Sequence, residues 1–225
     1  MALDPAIPWG ELVAEILRRH GAHTVILYGS RARGDDTATS DVDMIAVRAT
    51  GGPHRDVAAW RGLSLDVHVH DEAGLAALIE QRTPDLVHAR VLAQREGYGD
   101  AVVARVRERL AIPPAPLSDD DWRALWAWAT KMRARVRHPD ATLAAFHRAT
   151  LLVEALPSWA QVRRRWFFGG KAALGEFSRT DPALHAAWVA AASPTADAAA
   201  FDRLLERVFD PGAAGQPVPD GWNAR

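Results

Sequence analysis

Cysteine is absent from all 225 residues. Its absence excludes disulfides and thiolate metal sites, and it suits a reducing compartment. Long apolar runs are missing as well. No stretch approaches the roughly 18–20 residues needed to cross a bilayer. The N-terminus has no basic segment followed by an apolar run, so no signal peptide is read there. Excess charge of either sign is also lacking. Lys and Arg number 27 against 28 Asp and Glu, a formal net charge of -1. The protein as a whole is therefore no polyanion binder, although local patches stay open. The expectation is a soluble cytoplasmic protein without a membrane partner. What the chain does have is 48% hydrophobic residues, enough for a real core in one large or two small domains.

The periodicity divides the chain. Trp9, Leu12, Val13, Ile16 and Leu17 recur at helical spacing and Gly21 follows as a stop. Thr24 to Tyr28 is a short β-rich run ending at Gly29, and Asp41 to Val47 reads as a second strand. Gly51, Gly52 and Pro53 break the chain. Leu63 to His70 alternates apolar and polar residues, as a half-buried strand does. From Asp71 onward the pattern is helical. Residues 112–117 form a proline-rich break that we read as a domain boundary. Beyond it, Ser118 with Asp121 reads as a capping box, Asp140 as a helix cap, and Thr180-Asp181-Pro182 as a helix start. The expected organisation is α+β: a small mixed-sheet domain over 1–111, an α-helical bundle over 118–210, and a loose tail over 211–225.

One run carries chemistry: Leu27-Tyr28-Gly29-Ser30-Arg31-Ala32-Arg33-Gly34, six further residues, then Asp41-Val42-Asp43. At Gly29 the backbone must turn sharply and leave space, and glycine permits both. Ser30 then opens a short helix whose free N–H groups and hydroxyl suit an anion. Arg33 can offer a planar fork to phosphate oxygens. Asp41 and Asp43, at i and i+2 on a strand, project from one face. Two such carboxylates repel each other unless a cation joins them, and Mg2+ prefers hard oxygen ligands. Asp66 lies mid-strand, with Val67 and Val69 toward the core and Asp66, His68 and His70 on the opposite side. If that strand pairs beside the second one, Asp66 completes a three-carboxylate cluster able to hold two metal ions.

Gly29-Ser30 with Gly34, then Ser40-Asp41-Val42-Asp43, then Asp66 on a later strand, resembles the polymerase-β nucleotidyltransferase superfamily, and within it the small prokaryotic aminoglycoside and minimal nucleotidyltransferases. The resemblance spans about residues 10–70. It implies that Asp41, Asp43 and Asp66 bind Mg2+, with Mn2+ as a substitute, and that Asp66 helps deprotonate the acceptor. It further implies that Gly29 and Ser30 hold the β- and γ-phosphates of an NTP, ATP first, with Arg33 as a phosphate contact. The helical half would then choose the acceptor. That half is basic: from Trp122 to Lys171 there are ten Lys or Arg and two acids, Asp140 and Glu154. Lys171, after Gly169-Gly170, is read as a phosphate contact. Three functions are weighed. The first is transfer of AMP to a hydroxyl of a small molecule. The second is a toxin–antitoxin enzyme that modifies tRNA or a partner protein. The third is an inactive nucleotide-binding module, against which the retained carboxylates argue.

Overall fold

The computed structural model describes residues 3–81 and 86–210. By its contacts the chain divides into two compact units, Met1–Ile112 and Pro113–Arg225. The expected tail over 211–225 lies outside the described residues. The α+β expectation holds: a five-stranded mixed sheet stands with helices in the first unit, and helices make up the second. Among the described residues, no helix is long and apolar enough to cross a membrane.

The first unit runs α1 (Trp9–His20), β1 (Thr24–Tyr28), α2 (Gly29–Arg33), β2 (Val42–Arg48), β3 (His54–Trp60), β4 (Leu63–Asp71), α3 (Glu72–Gln81), β5 (Arg90–Ala93) and α4 (Tyr98–Ala111). Helix α1 ends as its glycine foretells, with Gly21 left-handed at φ 59° and its N–H on the Leu17 carbonyl. The sheet order is β3-β4-β2-β1-β5. Strands β2 and β4 are parallel, and the other pairs are antiparallel. One face packs Leu27, Met44, Val67 and Val69 against Leu12, Val13 and Ile16 of α1. The other packs Ile26, Ile45 and Val47 against Leu75 and Ile79 of α3 and Val102, Val103 and Val106 of α4. On that second face β4 presents Asp66, His68 and His70 instead of apolar residues, so its polar side stays half-buried.

Two strands lie where the sequence pattern shows none. Strand β3 pairs with β4 across the two-residue turn Arg61-Gly62, both at positive φ. It is an edge strand with an exposed outer row, so its sequence HRDVAAW carries no clean apolar alternation. Strand β5 has four residues, too short for a period to register.

The second unit contains α5 (Asp119–Arg135), α6 (Ala141–Val162), α7 (Gly170–Thr180), α8 (Pro182–Ala192) and α9 (Ala198–Val208). Trp122, Trp126, Leu151, Trp159, Phe177 and Phe201 lie in its core. Ser118 caps α5 by accepting from the Asp121 N–H, and Asp140 caps α6 through the Thr142 and Leu143 N–H groups. Asp181 caps α8, with Pro182 in its first turn. Ser118→Ala is expected to lower the unfolding free energy by about 1 kcal/mol, the usual cost of a lost N-cap oxygen. Urea unfolding followed by circular dichroism would show it as a lower midpoint.

Candidate active site

Strand register brings the chemistry-bearing residues of the first unit to one end of the sheet. Tyr28 pairs with Asp43, Asp43 with Asp66, and Asp66 with Val57, giving one row across β1, β2, β4 and β3. Residues in such a row share a face, and neighbouring strands lie roughly 4.8 Å apart. Asp43 and Asp66 are therefore adjacent carboxylates on the same side. Asp41 is exposed and stands one residue before β2. Its charge still reaches Asp43. The Asp43 carboxyl is pushed above the usual carboxylate range by burial first, then by the charges of Asp66 and Asp41; Arg33 and His68 oppose this.

Gly29 leaves β1 at φ 73° and turns directly against Asp43. A Cβ built there would fall on the Asp43 Oδ2, with Asp43 Cγ at 2.9 Å. Glycine is thus demanded twice, by the left-handed backbone and by the close approach. Ser30 lies in the first turn of α2, which has no side-chain cap. Gly34 closes that helix at φ 77° with its N–H on the Ser30 carbonyl at 2.7 Å.

Arg31, inside the motif, has a structural task. Its side chain is only 6% exposed and pairs with Asp36 at 3.0 Å. It also donates to the Ser40 carbonyl at 2.7 Å from Nη2 and to the Asp41 carbonyl at 3.2 Å from Nε. Arg31 therefore clamps the loop that leads into Asp41 and Asp43. Arg33 donates to Asp35 at 3.2 Å. Lys171 belongs to the second unit, exposed in the first turn of α7.

Two residues at this site escape sequence reasoning. Tyr28 sits beside Asp43, and its hydroxyl pKa is raised by burial first and then by Asp43 and Asp66. Arg55 of β3 donates to Asp66 through both Nε (2.7 Å to Oδ1) and Nη2 (2.6 Å to Oδ2). This fork holds the Asp66 carboxyl below its usual range, against the effect of burial and helped by His68 at 3.6 Å. The Tyr28 signal lay in its place, immediately before Gly29 at a strand end. Arg55 had no local signal, because β3 itself had none.

Among the described residues, no group of three or more His, Cys, Asp and Glu side chains is gathered closely enough to hold a metal ion. The donor set nonetheless suits one. Asp43 and Asp66 offer hard carboxylate oxygens in register, and their charges, which after burial help to raise the Asp43 pKa, are of the sign a cation would offset. Asp66 is turned onto a guanidinium instead. A cleft of about 340 Å3 lined by Ile7, Pro8, Arg31, Asp36 and Trp60 lies in the same unit, but Gly29, Ser30, Asp43 and Asp66 do not line it.

The basic bias of the second unit is largely engaged within that unit. Arg133 and Arg137 pair with Asp202, and Arg165 with Glu176. Arg163 donates to the Val208 and Arg207 carbonyls at 2.8 and 2.9 Å, and Arg148 to the Val136 carbonyl at 3.1 Å. These arginines bond between different elements of that unit.

No protein-family model matches the chain, and no curated protein matches it. Among solved structures it is similar to a nucleotidyltransferase-like protein from Exiguobacterium sibiricum, with 11% identity and a TM-score of 0.47 over 91% of this chain and 76% of that one.

Proposed function

We propose that this chain is a divalent-cation-dependent nucleotidyltransferase that moves a nucleoside monophosphate from an NTP, ATP first, onto a hydroxyl of a small-molecule acceptor. The observation that supports this most is the packing of Gly29 on the Asp43 carboxylate, with Asp66 in register beside it. One sheet end then holds a glycine-serine turn and a carboxylate pair, the two parts that phosphoryl transfer needs. Ser30 and the turn at Gly29 would receive the distal phosphates, with Arg33 adding its fork. Asp41, Asp43 and Asp66 would hold Mg2+, which when bound supplies positive charge to the phosphoryl oxygens. Asp66 would take the acceptor's proton. The acceptor oxygen bonds to the α-phosphorus, the bond from that phosphorus to the bridging oxygen breaks, and pyrophosphate leaves.

The alternative acceptors are tRNA or a partner protein. The RNA alternative draws on the basic bundle, and the ion pairs of Arg133, Arg137 and Arg165 weaken it. The inactive-module alternative draws on one observation, the occupation of Asp66 by Arg55.

One assay separates these readings. The protein is given Mg2+ and each α-labelled NTP, with a polyol panel, bulk tRNA or cell lysate in turn. Label on a small molecule and release of pyrophosphate are the expected results. Label on RNA or protein would move the acceptor class, and absence of both label and pyrophosphate under every condition would leave the inactive module.

A further inference from the structure

Two carboxylates side by side on one sheet face are unstable without positive charge between or beside them. In this chain the charge comes from the edge of the sheet. Arg55 stands on the edge strand β3, opposite His68 in register, and reaches diagonally to Asp66. Its fork takes both Asp66 oxygens, at 2.7 and 2.6 Å. The Asp66 side chain is 15% exposed, whereas that of Arg55 is 60% exposed. Among the described residues Arg55 makes no other hydrogen bond. The fork is bidentate and so stronger than an ordinary surface pair, but the arginine is held at its tip alone and its stem is open to water, so it has room to leave. Asp43 has the opposite character, since the Gly29 backbone closes against it.

From this contrast, and resting on the nucleotidyltransferase reading above, we propose that Arg55 is the resident cation of the Asp43–Asp66 pair and competes with a divalent ion for the Asp66 carboxylate. A divalent ion would need Asp66 carboxylate oxygen that the fork already holds, and like charges cannot share it. Arg55 therefore sets the ion concentration at which the site fills. When the ion binds, the guanidinium swings into solvent, which its exposed stem on the edge strand allows. Asp43 stays in place throughout.

The test is Mn2+ binding to the full chain without nucleotide, read as free Mn2+ by electron paramagnetic resonance. Arg55→Gln is expected to tighten binding about fivefold, what an exposed pair at the upper end of its usual strength would give. Arg55→Lys keeps a charge but loses the fork, so a smaller tightening is expected. In an Asp66→Asn background, Arg55→Gln is expected to have no further effect. Circular dichroism checks that each variant is folded. If Arg55→Gln leaves binding unchanged or weakens it, while Asp43→Asn still weakens it, the competition is wrong and Arg55 merely positions Asp66; the nucleotidyltransferase reading survives that result. Binding that ignores Asp43→Asn, or is absent from every variant, overturns both.

Discussion

Asp43→Asn is expected to lower the rate of nucleotidyl transfer on the order of a thousandfold, the scale seen when one preorganised electrostatic group is removed, while the chain stays folded. Asp43 is the residue on which the site converges. It pairs in register with Tyr28 on one side and Asp66 on the other, and Gly29 lies against its carboxylate. Asparagine keeps the shape and removes the charge, so Gly29 keeps its neighbour. Stability should move the other way. Burial, then the charges of Asp66 and Asp41, hold the Asp43 carboxyl above its usual value. The folded chain thus binds this proton more tightly than the unfolded chain. As pH rises from about 3.9, the usual value for Asp, through the raised folded value, this group's contribution makes the protein less stable, and the loss persists at neutral pH. The asparagine variant has no charge to lose, so at pH 7 its urea midpoint is expected at or slightly above that of the wild type. Pyrophosphate release and urea unfolding measure the two effects. Full activity in the variant would sink the assignment, and a collapsed fold would show Asp43 to be structural.

Gly29→Ala is expected to cost about 2–3 kcal/mol of stability and most of the activity. A left-handed backbone disfavours any residue with a Cβ by about 1–2 kcal/mol, and the Cβ itself would fall on the Asp43 carboxylate, adding the cost of overpacking. Gly21→Ala separates the two effects. It too is left-handed, at φ 59°, but nothing lies within 4 Å of its Cβ, so about 1 kcal/mol is expected there. Asp43→Ala removes the atoms that the new methyl would strike first. Combined with Gly29→Ala, it should cost less than the sum of the single changes, because contacting residues do not add. Strict additivity in denaturant unfolding would mean that Gly29 and Asp43 do not meet as described.

Helix ends and central strands were legible in the chain because their signals are local. Ser118, Asp140 and Asp181 act through N–H groups two or three residues away, and Gly21 through its own φ. Strand β4 announced itself by alternation, since one face meets α1 and the other stays polar. Strand β3 did not, because an edge strand takes its place from its partner and not from its own pattern. The role of Arg31 was hidden for a related reason. The motif assigns a phosphate contact to Arg33 and nothing to Arg31, yet the Arg31 side chain is tucked in and bonds carbonyls nine and ten residues along. The arginines of the second unit likewise find partners as far as 73 residues away, a distance at which sequence carries no pairing rule.

The sequence alone determined that a glycine-serine turn, a strand with two aspartates and a later strand with a third belong to this protein, because backbone freedom and period-two alternation are properties of neighbouring residues. Only the tertiary structure decided that β2 and β4 run parallel with Asp43 opposite Asp66, that Gly29 closes on Asp43, and that an edge-strand arginine holds the remaining carboxylate. Those facts depend on strand order and register, which are set by packing across the whole sheet.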